Sequence, residues 1–456
     1  MTTATPTAPP TGTHPAWTAP APLFDGVLAT DTATLAAYAA DGEAALAALP
    51  SRPARDGAQQ ALAERVLSAG RDARRAFLAL HAEAVYDELT AARSRHLRLT
   101  ELLRAAADRF PGLVPTAAQM AVEDAFVQAE KDGREIDQAI FCAAVLRSPS
   151  AGAHLVDAML LPTSRALDLL GAFREAGRVE LDTVLVERIG EAGHITFRNE
   201  HCLNAEDNRL IADLETAVDL VLLDDRIRVG VLRGGVVDHP RYRGRRVFSA
   251  GINLKDLRNG DISFIEFLLG RELGYINKMY RGLLTAAQNP VWAERTLQKP
   301  WIGAVDAFAI GGGMQLLLVL DHVIAEEGAY FSLPAAEEGI VPGLGNLRLG
   351  RLTGAREARR VILGGRRIDT ADPDAHLVCD QVVPAGQLTE AVDAAVRHLS
   401  APAVAANRRM LALTEEPLDL FRSYLAEFAV VQVARSYSED VLAKVERRWQ
   451  RSQARN

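Results

Sequence analysis

The 456-residue chain is short of the features that would tie it to a staple, a nucleic acid or a bilayer. It has three cysteines, Cys142, Cys202 and Cys379. Their wide spacing makes neither a disulfide framework nor a zinc motif and suits a reducing compartment. Lysine and arginine total 51 against 59 acidic residues, a formal net charge of −8, and so acidic a chain predicts no nucleic-acid partner. The longest unbroken apolar stretch of interest, LLLVL at 316–320, is far below the roughly 20 residues that cross a bilayer, and no membrane association is expected. The start, MTTATPTAPPTGTHPAWTAPAP, lacks both the basic region and the apolar run of a secretion signal. Residues 1–24 read as a disordered Thr/Pro/Ala leader, and the expected location is cytoplasmic. The phosphate-cradling patterns GxxxxGKS, GxxxxGKT and GxGxxG are missing, so a nucleotide P-loop is unsupported. The ten histidines show no HxH, HExxH or facial-triad spacing, and His194, His201 and His322 stand alone; no metal is expected.

What is present divides into three textures. Residues 25–178 are rich in Ala, Leu, Arg and Glu with apolar positions three and four apart, as in AEAVYDELTAARSRHLRLTELLRAAADRF, which predicts a helical domain. From 179 to about 390 strand-like segments, VLVERIG, HITFRN, RVGVLRGG, PWIGAVDAFAI and HVIAEEGAYFSL, alternate with helical ones. Strands alternating with helices mean an α/β core. Residues 391–456 return to amphipathic helix, and the Phe, Tyr and Val face of Leu418–Trp449 is expected to pack on a neighbouring subunit.

Two glycine turns carry the chemistry. FAIGGGMQLLLVLD (308–321) places three glycines ahead of an apolar helix. Glycines there let backbone N–H groups approach a ligand with no Cβ in the way, and the helix start adds unpaired donors. FSAGINLKDL (248–257) also follows a strand, and its SAG turn delivers the Ile252 N–H at the start of a second helical segment. Two such turns can aim two N–H donors at one oxygen, which is an oxyanion hole.

The order HITFRNEHCLNAEDNRLIADLETAVD, VFSAGINL, KPWIGAVDAFAIGGGMQLLLVLDHVIAEEGAYFSLPAAEEGIVPG and GRRIDTADPDAHLVCDQVV resembles the crotonase, or enoyl-CoA hydratase/isomerase, superfamily over about 180–390. That resemblance implies a spiral of ββα units, assembly as a homo-trimer or hexamer, and stabilisation of a thioester enolate by the N–H groups of Ile252 and Gly312. It also exposes departures. Where hydratases of the family carry their two glutamates, this sequence has Gln315 and Ala335. An amide does not ionise and alanine has no functional group, so addition of water is the family reaction least compatible with this site. Glu337 and Glu338 lie two or three residues beyond the second position.

Together with the long helical N-terminal domain, these departures resemble a branch of the family that oxidises a dihydroxylated arylacetyl-CoA and supplies arylglycine units for glycopeptide antibiotics. The implied reaction is dioxygenation: an enolate held by two N–H groups reduces O2 directly, with no metal or flavin, and the peroxide expels CoA to leave an arylglyoxylate. In this reading Gln315 holds a ring hydroxyl through its donor and acceptor, Glu206 in the LNAED loop accepts from the other hydroxyl, and Arg271 contacts the ring or polarises the site. Arg198, Arg246 and Lys255, with Arg241, Arg243 and Arg245 nearby, would face the CoA phosphates. The alternatives are an isomerase or thioester hydrolase using Glu337 or Glu338, and a non-catalytic acyl-CoA-binding scaffold.

Overall fold

The computed structural model describes residues 17–285 and 296–453. Among the described residues seven α-helices come first: Leu28–Ala47, Gly57–Leu89, Leu99–Arg109, Ala117–Asp124, Glu135–Arg147, Pro149–Leu160 and Ser164–Ala176. The second opens on a capping box, Asp56 accepting from the Gln59 N–H while the Gln59 side chain accepts from the Asp56 N–H. Thr116 and Gln119 repeat it ahead of the fourth, and each box satisfies two otherwise orphaned donors. The seventh stops at Gly177, whose φ of 69° is the left-handed cap that glycine adopts without cost.

The next residue begins the sheet region, so the helix-to-strand change falls within a residue of the change in sequence texture. A seven-stranded sheet is built from β1 (Arg178–Glu180), β2 (Val184–Ile189), β3 (Ala192–Phe197), β4 (Val229–Gly234), β7 (Trp301–Val305), β9 (His322–Glu326) and β12 (Gln381–Val383) in that spatial order. The first two pairings are antiparallel and the last four parallel. Parallel neighbours need crossovers, and helix Asn208–Leu223 supplies the one between β3 and β4. A second sheet of three short strands, β8 (Phe308–Ile310), β10 (Tyr330–Ser332) and β11 (Ile368–Asp369), carries the chain to the glycine turn. Two residues each from Leu283–Leu284 (β5) and Thr296–Leu297 (β6) form a small ladder.

The three sequence textures do not correspond to three cores. Phe77, Phe141 and Phe173 of the N-terminal helices, Leu214, Met314 and Phe331 of the sheet region, and Phe421, Leu425 and Phe428 of the tail belong to one buried apolar cluster. The tail forms helices Leu388–Leu399, Pro402–Glu415, Leu418–Ser436 and Glu439–Gln453.

Three expectations need correcting. The apolar face of Leu418–Ser436 is covered by the chain's own helix Glu135–Arg147 rather than left for a neighbouring subunit. Of the leader, residues 1–16 lie outside the described residues, but 17–24 dock: Trp17 packs on Tyr38 with ring centroids 5.5 Å apart and Phe24 meets Phe77 edge-on at 5.8 Å. The stretch FIEFLLGRELGYINKMYRGLLTAAQ is not one helix. It runs as a wide π-turned segment Phe264–Leu269, then Gly270–Leu273 and Tyr275–Arg281, broken at Gly274, and its last residues, 286–288, lie outside the described residues.

Candidate active site

The two glycine turns meet. A Cβ on Gly251 would stand 3.1 Å from the Ile310 carbonyl oxygen and 3.6 Å from the Gly312 nitrogen, and one on Gly311 would stand 3.4 Å from the Gly251 Cα. Both residues have positive φ, 86° and 54°, which glycine adopts freely. The approach is locked by backbone pairing, with the Ile310 N–H donating to Ser249 at 2.9 Å and the Gly311 N–H to Ser332 at 2.8 Å.

The direction of each donor follows from this pairing. Glu206 and Ile252 form an isolated parallel bridge in which the Glu206 N–H donates to the Gly251 carbonyl at 2.7 Å and the Asn253 N–H to the Glu206 carbonyl at 2.8 Å. Such a bridge spends the groups on either side of Ile252 and turns its own N–H to the opposite edge. Gly312 is the first residue of helix Gly312–Leu317, where an N–H has no partner within the helix. Both residues line one cavity of about 270 Å³.

The same cavity is lined by Gln315, Glu206 and Arg271, so the five residues expected to do the chemistry share it. Glu206 is presented by a strained bend: Leu203 and Asn204 have φ of 59° and 53°, a conformation uncommon outside glycine. The Asn204 side chain pins that bend by donating to the Val247 carbonyl at 2.7 Å.

Arg271 is 3% exposed, which rules out a surface ion pair. Its Nε donates to Glu206 Oε1 at 2.9 Å, Nη1 to Glu272 Oε1 at 2.7 Å and to Gln315 Oε1 at 3.2 Å, and Nη2 to the Gly312 carbonyl at 2.8 Å. Burial would lower the guanidinium's pKa, but Glu206, Tyr275 and Glu272 outweigh it and hold it raised. The Tyr275 hydroxyl donates to the same Glu206 oxygen at 3.0 Å.

Two expected roles therefore change. The Gln315 acceptor is already engaged by Arg271, which leaves its NH2 group as the part that can meet a ligand. Glu206 Oε1 is doubly engaged, and only Oε2 faces Gly312, where a Cβ would come within 1.8 Å of it.

The sequence reading missed Glu272, Tyr275 and Gln432. Glu272 lines the cavity and is 2% exposed; burial holds its carboxyl above the ordinary range in spite of Arg271 and Arg348. Its signal was adjacency to Arg271, and that of Tyr275 the spacing of four from it, but the break at Gly274 obscured both. Gln432 reaches the cavity from the tail, where a lone amide in AEFAVVQVARS was the available sign.

Of the displaced family positions, Ala335 and Glu338 line the cavity, whereas Glu337 lies over Gly365. Arg198, Arg246 and Lys255 do not line it. Arg198 is paired with Glu180, Arg246 Nη1 donates to the Gly234 carbonyl at 3.2 Å, and Lys255 is exposed on helix Leu254–Asn259. Among the described residues no group of three or more His, Cys, Asp or Glu side chains is arranged to hold a metal ion.

The fold and the paired donors define an acyl-thioester enzyme of the crotonase kind, and the comparisons agree. Residues 190–419 match the enoyl-CoA hydratase/isomerase family model, and the chain belongs to that family. A (3,5-dihydroxyphenyl)acetyl-CoA 1,2-dioxygenase of Amycolatopsis orientalis is 56% identical over 397 residues, covering 87% of this chain and 91% of that one. A probable enoyl-CoA hydratase of Rhizobium meliloti is 32% identical over 221 residues, 48% of this chain and 76% of its own. Among solved structures, an enoyl-CoA hydratase from Mycobacterium avium subsp. paratuberculosis K-10 aligns at a TM-score of 0.49 and 20% identity over 60% of this chain and 97% of that one.

Proposed function

We propose that this chain is a dioxygenase converting 3,5-dihydroxyphenylacetyl-CoA and O2 to 3,5-dihydroxyphenylglyoxylate and free CoA. The observation that carries the reading is the 56% identity to the Amycolatopsis enzyme across 87% of the chain, well beyond the 190–419 segment common to the family. The site's chemistry supports it. The Ile252 and Gly312 N–H groups, whose residues line one cavity, are read as the pair that meets a thioester oxygen as it gains charge on loss of an α-proton. A preorganised donor there contributes about 3 kcal/mol, or roughly 10²–10³ in rate.

The enolate is the reductant. Its α-carbon gives electrons to O2 and becomes bonded to a peroxide, whose outer oxygen attacks the thioester carbonyl and expels CoA thiolate. Loss of the remaining α-proton with cleavage of the O–O bond leaves a ketone and a carboxylate, one oxygen atom in each. The two hydrogens of the original methylene leave as protons, one of them taken up by the thiolate. No metal or flavin is needed for this balance.

Gln315 Nε2 supplies a donor to one ring hydroxyl. Apolar Leu254, Leu257, Phe267, Leu268 and Leu333 line the cavity around the polar group, as a site for an aryl ring requires. The Arg198, Arg246 and Lys255 contacts to CoA belong to the same reading, as does a homo-trimer or hexamer in the cytoplasm. Exposed Met410, Leu411 and Leu413 on helix Pro402–Glu415 support self-association.

An oxygen electrode with free-thiol detection, run after chelation, tests the reaction. One O2 consumed per CoA released is expected, and thiol release at an equal rate under nitrogen would refute it in favour of a hydrolase.

A further inference from the structure

The cavity has one wall that the family-matched segment does not hold by itself. Ile340, Val341, Pro342 and Gly343 line it, and this stretch is fastened from the tail helix Leu418–Ser436 by three side chains. Gln432 Oε1 accepts from the Val341 N–H at 2.6 Å, the Tyr424 hydroxyl donates to the Gly343 carbonyl at 2.7 Å, and Arg435 Nε donates to the Gly339 carbonyl at 2.8 Å. Gln432 is 2% exposed and itself lines the cavity.

The helix's opposite attachments are to the N-terminal layer. Arg422 Nη1 donates to the Leu146 and Arg147 carbonyls at 2.9 and 2.6 Å, at the open C-terminal end of helix Glu135–Arg147, and the Tyr437 hydroxyl donates to Glu135 at 2.8 Å near its start. The buried side chains Phe421, Leu425, Phe428, Ala429 and Val433 complete the contact. One helix is thus tied at both ends to the N-terminal layer and along its length to the cavity wall.

We propose that the N-terminal helical layer acts as the strut of the acyl pocket, through helix Leu418–Ser436, and that Gln432 is the positioning residue that sets the 340–343 wall against the substrate ring. Gly343 makes the consequence specific, because a Cβ there would stand 2.5 Å from Gln315 Oε1 and 2.3 Å from Glu272 Oε1. A wall that drifts outward releases the packing on the amide that meets the ring hydroxyl. The ring-recognition part of this inference rests on the proposed function; the strut does not.

Two measurements on the full-length protein separate them. Hydrogen–deuterium exchange of the substrate-free protein should show the Val341 amide exchanging on the order of tenfold faster in Gln432→Leu, the scale of one lost buried hydrogen bond. Gln432→Glu, which keeps an acceptor, should restore most of the protection, and Arg422→Met should loosen the same segment from the far side. In turnover, Gln432→Leu should raise KM for 3,5-dihydroxyphenylacetyl-CoA about tenfold more than for phenylacetyl-CoA. Unchanged exchange at 340–343 in both Gln432→Leu and Arg422→Met would overturn the strut. Faster exchange with equal effects on the two substrates would overturn the ring-positioning role and leave the strut standing.

Discussion

Gly312→Ala adds one methyl group, and the structure says where it goes. The new Cβ would stand 1.8 Å from Glu206 Oε2 and 3.2 Å from Arg271 Nη2. Gly312 does not have positive φ, and alanine favours helix over glycine by about 1 kcal/mol, so neither backbone strain nor propensity explains a loss. The clash can be relieved in two ways. Glu206 can leave Arg271 and Tyr275, giving up two hydrogen bonds to a charged group at about 1.5–3 kcal/mol each. Otherwise the Gly312 backbone must shift by about an ångström, a displacement of the kind that costs on the order of 10²-fold, and its N–H leaves the line of the thioester oxygen. Displacing the carboxylate costs stability and shows as a lowered thermal midpoint, whereas the backbone shift predicts, at an unchanged midpoint, a fall in kcat of roughly 10²–10³. The assay is α-proton exchange of the arylacetyl-CoA in D2O under nitrogen, beside oxygen uptake in air. Exchange reports the enolate before O2 is involved, so both should fall by the same factor. A variant that keeps kcat within about threefold at an unchanged midpoint, or loses oxygen uptake while exchanging protons normally, would refute the assignment of Gly312 to the oxyanion hole.

Gln315→Ala should raise KM for the dihydroxylated thioester more than for phenylacetyl-CoA, and equal effects on the two in steady-state kinetics would count against an amide-to-hydroxyl contact. Glu272 has a folded pKa raised by burial, so its contribution to stability is present below its unfolded value of about 4.5 and is lost as pH rises through the folded value. Glu272→Gln should therefore flatten the decline of thermal midpoint above about pH 4.5, and an unaltered midpoint-against-pH curve would contradict the raised pKa. Glu338 lines the cavity and is the carboxylate an isomerase or hydrolase would use. Glu338→Gln should leave CoA release coupled to oxygen uptake, and a loss of more than about 10²-fold, the scale of a missing general base, would revive the rival reaction.

The backbone part of the site was legible in the sequence because glycine turns are read from residue type alone. FSAG and GGG announce bends, and the order of segments set them in one fold. The helical layer was legible for the same kind of reason: apolar positions at three and four spacings run from Leu28 to Ala176 and end on a glycine cap. Side-chain partnerships were not. Arg271 and Gln315 were each assigned to the ligand, yet Arg271 spends four donor contacts on protein groups, one of them on Gln315 itself. A donor inventory counts what a residue can offer, whereas three of these four contacts are made with neighbours 41–65 positions away. The tail failed similarly: an amphipathic face announces burial but not by which chain, and helix Glu135–Arg147 proved to be the cover for Leu418–Ser436.

Charge explains why an amide occupies position 315 as well as recognition does. Among the described residues one guanidinium lines the cavity, that of Arg271, and it already touches two carboxylates, Glu206 at 2.9 Å and Glu272 at 2.7 Å. The next cation, Arg348, approaches Glu272 at 3.5 Å but is held by Glu416 through two contacts at 3.0 and 3.1 Å. A glutamate at 315 would place a third carboxylate on Arg271 in a buried site, where an uncompensated charge costs several kcal/mol, and would oppose the negative charge that must gather on the thioester oxygen. The neutral amide removes that opposition while keeping an acceptor for Arg271 and an NH2 group for the proposed ring contact. On this argument a glutamate pair for water addition and an enolate left free to meet O2 are competing uses of one small cavity, and the protein's charge balance has chosen the second.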